Sequence, residues 1–574
     1  MKYIIKHLME NKWIMFWGVA LKTVGAFLEL AIPTVLDMII NEVAPAANIK
    51  LLLLWGGIMI LLSVSVFTFN MLGNRLASQV ARKSTEGIRH ELFDRTIRLS
   101  ARDADHFTVP SLESRITSDT YNIHQFTGMI LRMGIRAPIM LFGGIFITVF
   151  IDPVLTLVMV ALLPIIAFSV TFITKKGVPM YTTTQQKLDK MIGVVRENAV
   201  GIRVVKALTK YDYERRRFEQ ANKDHVKTEQ KAGMTMSSVN PMMNVILNIG
   251  TTLVVLVGAY RVYNGLMKPG TIISFIQYFG MISMSMLAVT RMFVMYSKAS
   301  ASANRVAAVI ETPDSILQES EEKHPESKEK GLHIEFRDVV FSYNGRKNNI
   351  ENISFELKRG EKLGIIGATG SGKSTIILLL MRFYDIDSGA IYINGKDIRT
   401  YPKDELHKMF GVALQNDFIR NGTVRDNIAF DRELSDEELM RGARLAQAEG
   451  FIRDKEGELD FILNSKGTNL SGGQRQRILV SRALSGDPDI LILDDSSSAL
   501  DYKTDAALRN AVFTEMTGST VIIVAQRVSS VMQCDKILVI DEGKTIALGT
   551  HDELMESCDI YREISESQMG GEVE

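Results

Sequence analysis

The sequence predicts two unlike halves. The first is an α-helical membrane domain of six spans with long helical extensions outside the bilayer. The second is an α/β domain with a mostly parallel sheet. Three observations predict this. Six long apolar runs all fall before about residue 311. After about residue 331, short β-branched runs alternate with helical stretches. Between them TPDSILQESEEKHPESKEKG is polar and charged, without apolar periodicity, and reads as a linker.

The chain has 574 residues, with 66 Lys plus Arg against 66 Asp plus Glu. That balance excludes a uniformly basic nucleic-acid coat and a disordered acidic chain. Hydrophobic residues make up 46%, an average that hides the two halves. Cys534 and Cys558 are the only cysteines, so no disulfide framework runs through the chain.

The apolar runs lie near 13–40, 51–71, 128–151, 154–173, 241–263 and 271–295. Each covers the roughly 20 residues a helix needs to cross hydrocarbon. Helices of a large soluble core are also apolar, but six such runs in one stretch favour a bilayer. The first run is too long for a cleavable signal peptide, carries Lys22 and Glu29, and has no small-residue cleavage site after it. The segments 41–50, 152–153 and 264–270 are short and hold at most one lysine each. Those after the second and fourth spans are long and basic, with Arg215, Arg216 and Arg217 in a row. The positive-inside bias therefore places both termini, both long loops and the α/β domain in the cytoplasm of a cell (inner or plasma) membrane protein. The long loops are rich in helix formers, so they are expected as helices continuing out of the bilayer. The expected divisions are a membrane domain 1–310, a linker 311–331 and a second domain 332–574.

In the second half, strands are expected at 333–336, 362–366, 490–493, 520–524 and 536–540. The run Gly367-Ala368-Thr369-Gly370-Ser371-Gly372-Lys373-Ser374-Thr375 fits the phosphate-loop pattern GxxxxGK[ST] between a strand and an apolar helix. Glycines let backbone N–H groups close around phosphates, and the helix N-terminus adds a favourable dipole. Lys373 would neutralise the β/γ-phosphates and Ser374 would offer a hydroxyl to Mg²⁺. Ile490-Leu491-Ile492-Leu493-Asp494 is an apolar strand ending in a carboxylate, the Walker B pattern, with Asp494 placed to hold Mg²⁺ through water. Leu470-Ser471-Gly472-Gly473-Gln474 offers a hydroxyl and unobstructed N–H groups where a helix would begin. Alone it reads as a serine-capped helix.

Together with the phosphate loop, that stretch resembles the signature motif of the ABC ATPases. Six spans followed by one such domain resemble an ABC half-transporter of the exporter type. The resemblance makes the second half an α/β P-loop ABC nucleotide-binding domain, with ATP and Mg²⁺ as cofactors. It implies further roles, residue by residue. Tyr343 matches the aromatic that stacks on adenine. Gln415 matches the glutamine that contacts Mg²⁺ and couples to the membrane part. Ser498-Ala499-Leu500-Asp501 matches the D-loop, which crosses a dimer interface. Ser471, Gly472, Gly473 and Gln474 would meet ATP held by a second chain. The segments 114–119 and 198–206 resemble those of the first and second intracellular loops, and 209–213 the turn that touches a nucleotide-binding domain.

Three positions depart from the family pattern. Asp495 stands where a catalytic glutamate follows the Walker B aspartate, and its shorter side chain retracts the oxygens by more than ~1 Å, a misplacement that can cost about a hundredfold in rate. Gln526 stands where the family has histidine; it can donate a hydrogen bond but carries no charge. Ser465 stands where many exporters have a glutamate. Because the signature is intact, the resemblance points to a heterodimeric bacterial multidrug exporter. This chain's own site would be degenerate. Its signature would complete a competent site on a second, different half-transporter with intact catalytic Glu and His. Competing readings are a homodimeric exporter of lipid or peptide substrates and an ATP-binding sensor.

Glu29 and Arg136 fall at mid-membrane depth, either as a charged lining for a substrate or as an ion pair between helices. Lys22 and Arg291 are expected to snorkel toward the inner interface. The last span carries Met281, Met284, Met286, Met292 and Met295 with Phe275, Tyr278 and Phe279, a composition suited to varied apolar ligands or to packing. The expected partners are the second half-transporter, the lipid bilayer and a small amphipathic or drug-like substrate, with no nucleic acid.

Overall fold

The computed structural model describes residues 1–313, 331–415, 418–496 and 499–569. Most of the linker expected at 311–331, and Ser498 of the D-loop, lie outside the described residues. Two compact units are resolved, one of residues 1–97 and 109–311, the other of residues 98–108 and 312–574.

The first unit is helical. Six helices among the described residues are long and apolar enough to cross a membrane: Lys12–Val43, Ile49–Ile97, Val109–Ile151, Pro153–Val200, Tyr211–Tyr263 and Pro269–Ile310. Helix Ile49–Ile97 has 49 residues and helix Pro153–Val200 has 48, so each continues well past its apolar stretch, as the helix-forming loops predicted. Asp152 caps the second of these, accepting from the N–H groups of Val154 and Leu155 at 2.9 and 3.0 Å, with Pro153 at its first position. Gly18 and Gly25 let helix Lys12–Met38 lie close to Ile49–Ile97; a Cβ there would come within 3.2 Å of Leu76 and 3.3 Å of Phe69. The apolar half of Ile49–Ile97 leaves Leu53, Ile60, Leu61 and Phe67 exposed, a surface suited to lipid.

The third span, Val109–Ile151, is irregular within the apolar run expected near 128–151. Helix Thr120–Met133 stops at Gly134, and three short pieces, Arg136–Pro138, Ile139–Gly143 and Gly144–Ile151, follow. Pro138 has no N–H to return to the Gly134 carbonyl, and the chain relaxes there through a π-turn.

In the last span the aromatics take the packing role, one of the two that the composition allowed. Phe275, Tyr278 and Phe279 are fully buried. They pack with Leu30, Met159, Ile166 and Ile282 or close beside them. Tyr278 donates to the Leu30 carbonyl at 2.7 Å and shares a hydrogen bond with the Thr34 hydroxyl, so its buried oxygen is satisfied. These aromatics hold the helices together.

The second unit is built on a six-stranded sheet. Its order is Lys544–Gly549, Lys536–Asp541, Lys362–Ile366, Thr520–Val524, Ile490–Asp494 and Phe410–Ala413. All neighbours are parallel except the first pair. Both faces are covered. Leu491 and Leu493 enter one apolar cluster while Ile490 and Ile492 enter the other. A four-stranded antiparallel sheet, ordered Ile350–Lys358, Leu332–Phe341, Ser388–Ile393 and Lys396–Asp397, stands beside it. Inside this unit the Tyr384 hydroxyl donates to Asp105 at 2.6 Å, which ties the short helix Ala101–Phe107 to it. Burial and that carboxylate push the tyrosine's pKa up.

Candidate functional site

Three parallel strands end side by side. Val524 lies opposite both Ile365 and Asp494 in the register, so the loops leaving these strands converge at their carboxyl ends. The cavity between them has a volume of about 200 Å³ and is lined by Thr369, Gly370, Lys373, Gln415, Asp494 and Gln526 among others.

The loop after Lys362–Ile366 has the backbone that its glycines permit. Gly370 and Gly372 have φ of +83° and +102°, and Gly372 caps helix Lys373–Leu380. A Cβ at Gly367 would meet the Ile540 carbonyl, whereas Gly370 faces open space. Ser371 Oγ is buried without a hydrogen-bond partner among the described residues. A glycine-bearing loop that leads into a helix N-terminus and carries an orphaned hydroxyl can take an oxyanion. Lys373 Nζ donates to the carbonyls of Gly367 and Ala368 at 2.9 and 2.7 Å. Burial lowers its pKa, while Asp494 and Asp495 act against that. Burial raises the pKa of Asp494, chiefly opposed by a hydrogen bond from the Ser374 hydroxyl. Ser374 and Asp494 thus stand together as a hydroxyl and a carboxylate, the donor set suited to Mg²⁺.

Asp495 carries most of the site's remaining polar contacts. Its Oδ2 accepts from Gln415 Nε2 at 3.3 Å and from Gln526 Nε2 at 3.2 Å. Its N–H donates to the Val524 carbonyl at 2.9 Å, and its φ is +48°, in the left-handed region. The two departures from the family pattern, Asp495 and Gln526, are therefore in direct contact.

The Tyr343 hydroxyl donates to Thr375 Oγ1 at 3.3 Å, and its half-exposed ring meets Tyr384 edge-on at 5.0 Å. Ser471 caps helix Gly472–Leu484 in a capping box with Gln474, whose N–H donates to its hydroxyl at 3.2 Å. Gly472 has nothing near its Cβ position, so the start of this helix is open. None of Ser471, Gly472, Gly473 or Gln474 lines the phosphate-loop cavity. Asp501 caps helix Tyr502–Glu515 through the N–H and hydroxyl of Thr504 at 3.0 and 2.8 Å. Asn349, Val524 and Ala525 also line the cavity and escaped the sequence reading, because no motif marks them.

The family with the description ABC transporter transmembrane region matches residues 15–286, and the one described as ABC transporter matches residues 350–498. A Bacillus subtilis protein described as the uncharacterized ABC transporter ATP-binding protein YfiB is 32% identical over 95% of this chain and 94% of its own length. The chain belongs to the ABC transporter family. The Mycobacterium tuberculosis uncharacterized ABC transporter ATP-binding protein Rv1273c is 30% identical over 98% of this chain and 97% of its own length. The structure of a bacterial Atm1-family ABC exporter with ATP bound is 22% identical, covers 98% of this chain and 99% of its own, and superposes with a TM-score of 0.81. The fold is thus that of an ABC exporter, with six apolar helices and then a nucleotide-binding domain. This ABC chain is an integral membrane protein.

In the membrane unit of this ABC transporter, Glu29 and Arg136 form a two-pronged ion pair. Arg136 Nε meets Oε2 at 3.1 Å and Nη2 meets Oε1 at 2.6 Å. Both also line a cavity of about 870 Å³ with Met281, Met284 and Arg291. Lys22 does not snorkel. It is 3% exposed and donates to Asn70 Oδ1 at 3.0 Å, because Gly73 on the neighbouring helix leaves room for its stem.

Proposed function

We propose that this chain is one half of an ATP-driven exporter that moves amphipathic or drug-like compounds out across the cell membrane, with both termini and the nucleotide-binding domain in the cytoplasm. The functional divisions are the membrane domain 1–310, the linker 311–331 and the nucleotide-binding domain 332–574. ATP supplies the binding energy that closes two such domains on each other and the hydrolysis that resets them. In this chain Gly367, Thr369, Gly370, Ser371, Gly372 and Lys373 hold the phosphates, and Ser374, Gln415 and Asp494 hold Mg²⁺. Tyr343 and Thr375 complete the edge of the site.

The partner is a second, different half-transporter with an intact catalytic glutamate and histidine. The observation that carries this is the contact of Asp495 with Gln526. A glutamate reaching past this position would present its oxygens to water as a base; the shorter Asp495 instead has one oxygen occupied by two amides. This site binds ATP and turns it over slowly. Ser471, Gly472, Gly473 and Gln474, away from this chain's own cavity and open at the helix start, complete the faster site on the partner's phosphate loop, and Asp501 sits at the shared interface. Purification of tagged, full-length chain in mild detergent tests the pairing. A different ABC half-transporter in stoichiometric amount is expected; a complex containing this chain alone, with brisk ATP turnover, contradicts it.

A further inference from the structure

Two cavities in the membrane unit share a wall. The first, about 880 Å³, is edged by Lys22, Asn70, Arg75, Ser78, Arg132 and Arg136. The second, about 870 Å³, takes in Glu29, Arg132, Arg136 and Arg291. Arg132, Met133 and Arg136 line both. Five cations therefore face these spaces with one carboxylate. Glu29 is paired with Arg136. Among the described residues no carboxylate reaches ion-pair distance of Lys22, Arg75, Arg132 or Arg291. Lys22 has only the neutral Asn70 amide, and Arg132 donates to the Ser78 hydroxyl at 3.3 Å.

Cations within a membrane segment are costly unless an anion or water offsets them. An amide and a hydroxyl orient such groups without neutralising them. An anion seated among two guanidinium groups and an ammonium is recognised by charge and by fixed donor geometry together. The rest of the second cavity is apolar and adaptable, with Met129, Met140, Met281, Met284 and Leu287. Lys22 and Glu29 lie seven residues apart on helix Lys12–Met38, so the lining extends about 10 Å along the helix axis. Lys22, Arg75 and Arg132 thus meet in the first cavity, and the second adds a methionine-rich wall beside the Glu29–Arg136 pair and Arg291.

We infer that the substrate is an anionic amphiphile. Lys22, Arg75 and Arg132 hold its phosphate, sulfate or carboxylate head, and the methionine wall of the second cavity takes its apolar body. This rests on the export reading above, which leaves the sign of the substrate's charge open. The same head chemistry could belong to a soluble amphiphile or to an anionic bilayer lipid.

The test uses full-length protein, with whatever chain accompanies it, in phosphatidylcholine nanodiscs. Equilibrium binding is compared for dodecyl phosphate and dodecyltrimethylammonium, which share a tail and differ in head charge. Dodecyl phosphate is expected to bind about tenfold more tightly or better. Arg132→Glu is expected to reverse that preference and Arg132→Lys to keep it. Equal affinities, a preference for the ammonium, or a preference that Arg132→Glu leaves in place overturn the inference and assign these cations to pairing with the partner chain. Should Arg132→Glu fail to fold, Lys22→Met and Arg75→Gln decide. Each is expected to weaken dodecyl phosphate binding about threefold or more while leaving the ammonium unchanged; no loss in either overturns the inference. Competition by added phosphatidylglycerol identifies the anion as a bilayer lipid, and its absence as a soluble amphiphile. Binding is read without ATP. A complex that fails to bind or hydrolyse ATP therefore defeats the export reading alone.

Discussion

Replacing Asp495 by glutamate should speed ATP turnover by the purified chain. The added methylene carries the carboxylate outward by about 1.3 Å or more, far enough to leave Gln415 and Gln526, which now hold one oxygen at 3.3 and 3.2 Å. Repositioning on that scale is worth up to ~100-fold, and general-base assistance ~10²–10⁴-fold when the geometry is right. Gln526 remains in place of histidine, so the gain should fall short of the full range, at about 10–100-fold in kcat. The backbone opposes the change. Residue 495 has φ of +48°, where a longer side chain costs about 1–2 kcal/mol more than aspartate. That strain is present before and after the water attacks, so it lowers stability and leaves the barrier untouched. Steady-state phosphate release by full-length protein in detergent measures the rate, and ATP binding in parallel shows that the site is intact. Asp495→Asn in the same assay should lower the already slow rate less than about threefold. An unchanged or slower Asp495→Glu enzyme that still binds ATP would refute the reasoning that side-chain length limits this site.

Other outcomes follow from the same geometry. Glu29→Gln or Arg136→Gln alone should destabilise the detergent-solubilised protein by about 1–3 kcal/mol, and the double change should recover much of that loss; thermal unfolding of the four variants gives the coupling. Asp494 is raised in pKa by burial, so its ionisation disfavours the folded state at neutral pH, and the penalty disappears on acidification below its unfolded pKa. Asp494→Asn should therefore raise the nucleotide-free melting temperature at pH 7 by about 2 °C or more, with the advantage lost near pH 3.5. It should also weaken Mg²⁺-dependent ATP binding. Cys534 is buried, with its thiol pushed up to about 12, so iodoacetamide at pH 8 should label it only after denaturation, which mass spectrometry reads directly.

What the sequence made legible, and what it did not, divides by the range of the interactions. The phosphate loop lies in nine consecutive residues, so Gly370, Gly372 and Lys373 could be placed from local backbone chemistry alone. The strand ending at Asp494 was equally plain, because an apolar run before a carboxylate is a local pattern. The contact between Asp495 and Gln526 was not visible, since it depends on the parallel register of two strands 30 residues apart. In the membrane half, hydropathy located the spans but not which face of each helix is covered. Lys22 is buried because Asn70 and Gly73 of another helix receive it. Tyr278 is core rather than ligand surface because its hydroxyl donates to the Leu30 carbonyl and accepts from Thr34. The irregularity after Gly134 did have a local signal in Pro138, but hydropathy reports only the apolar run and not its backbone.

In the proposed pairing this chain lends its signature to a fast site on a different chain while keeping a slow site of its own. ATP turnover by the co-purified complex, measured for two single variants, tests it most directly. Ser471→Arg, at the open start of helix Gly472–Leu484, should abolish most of the activity. Asp495→Asn should leave most of it. The reverse result, with Asp495→Asn inactive and Ser471→Arg active, would place the fast site on this chain.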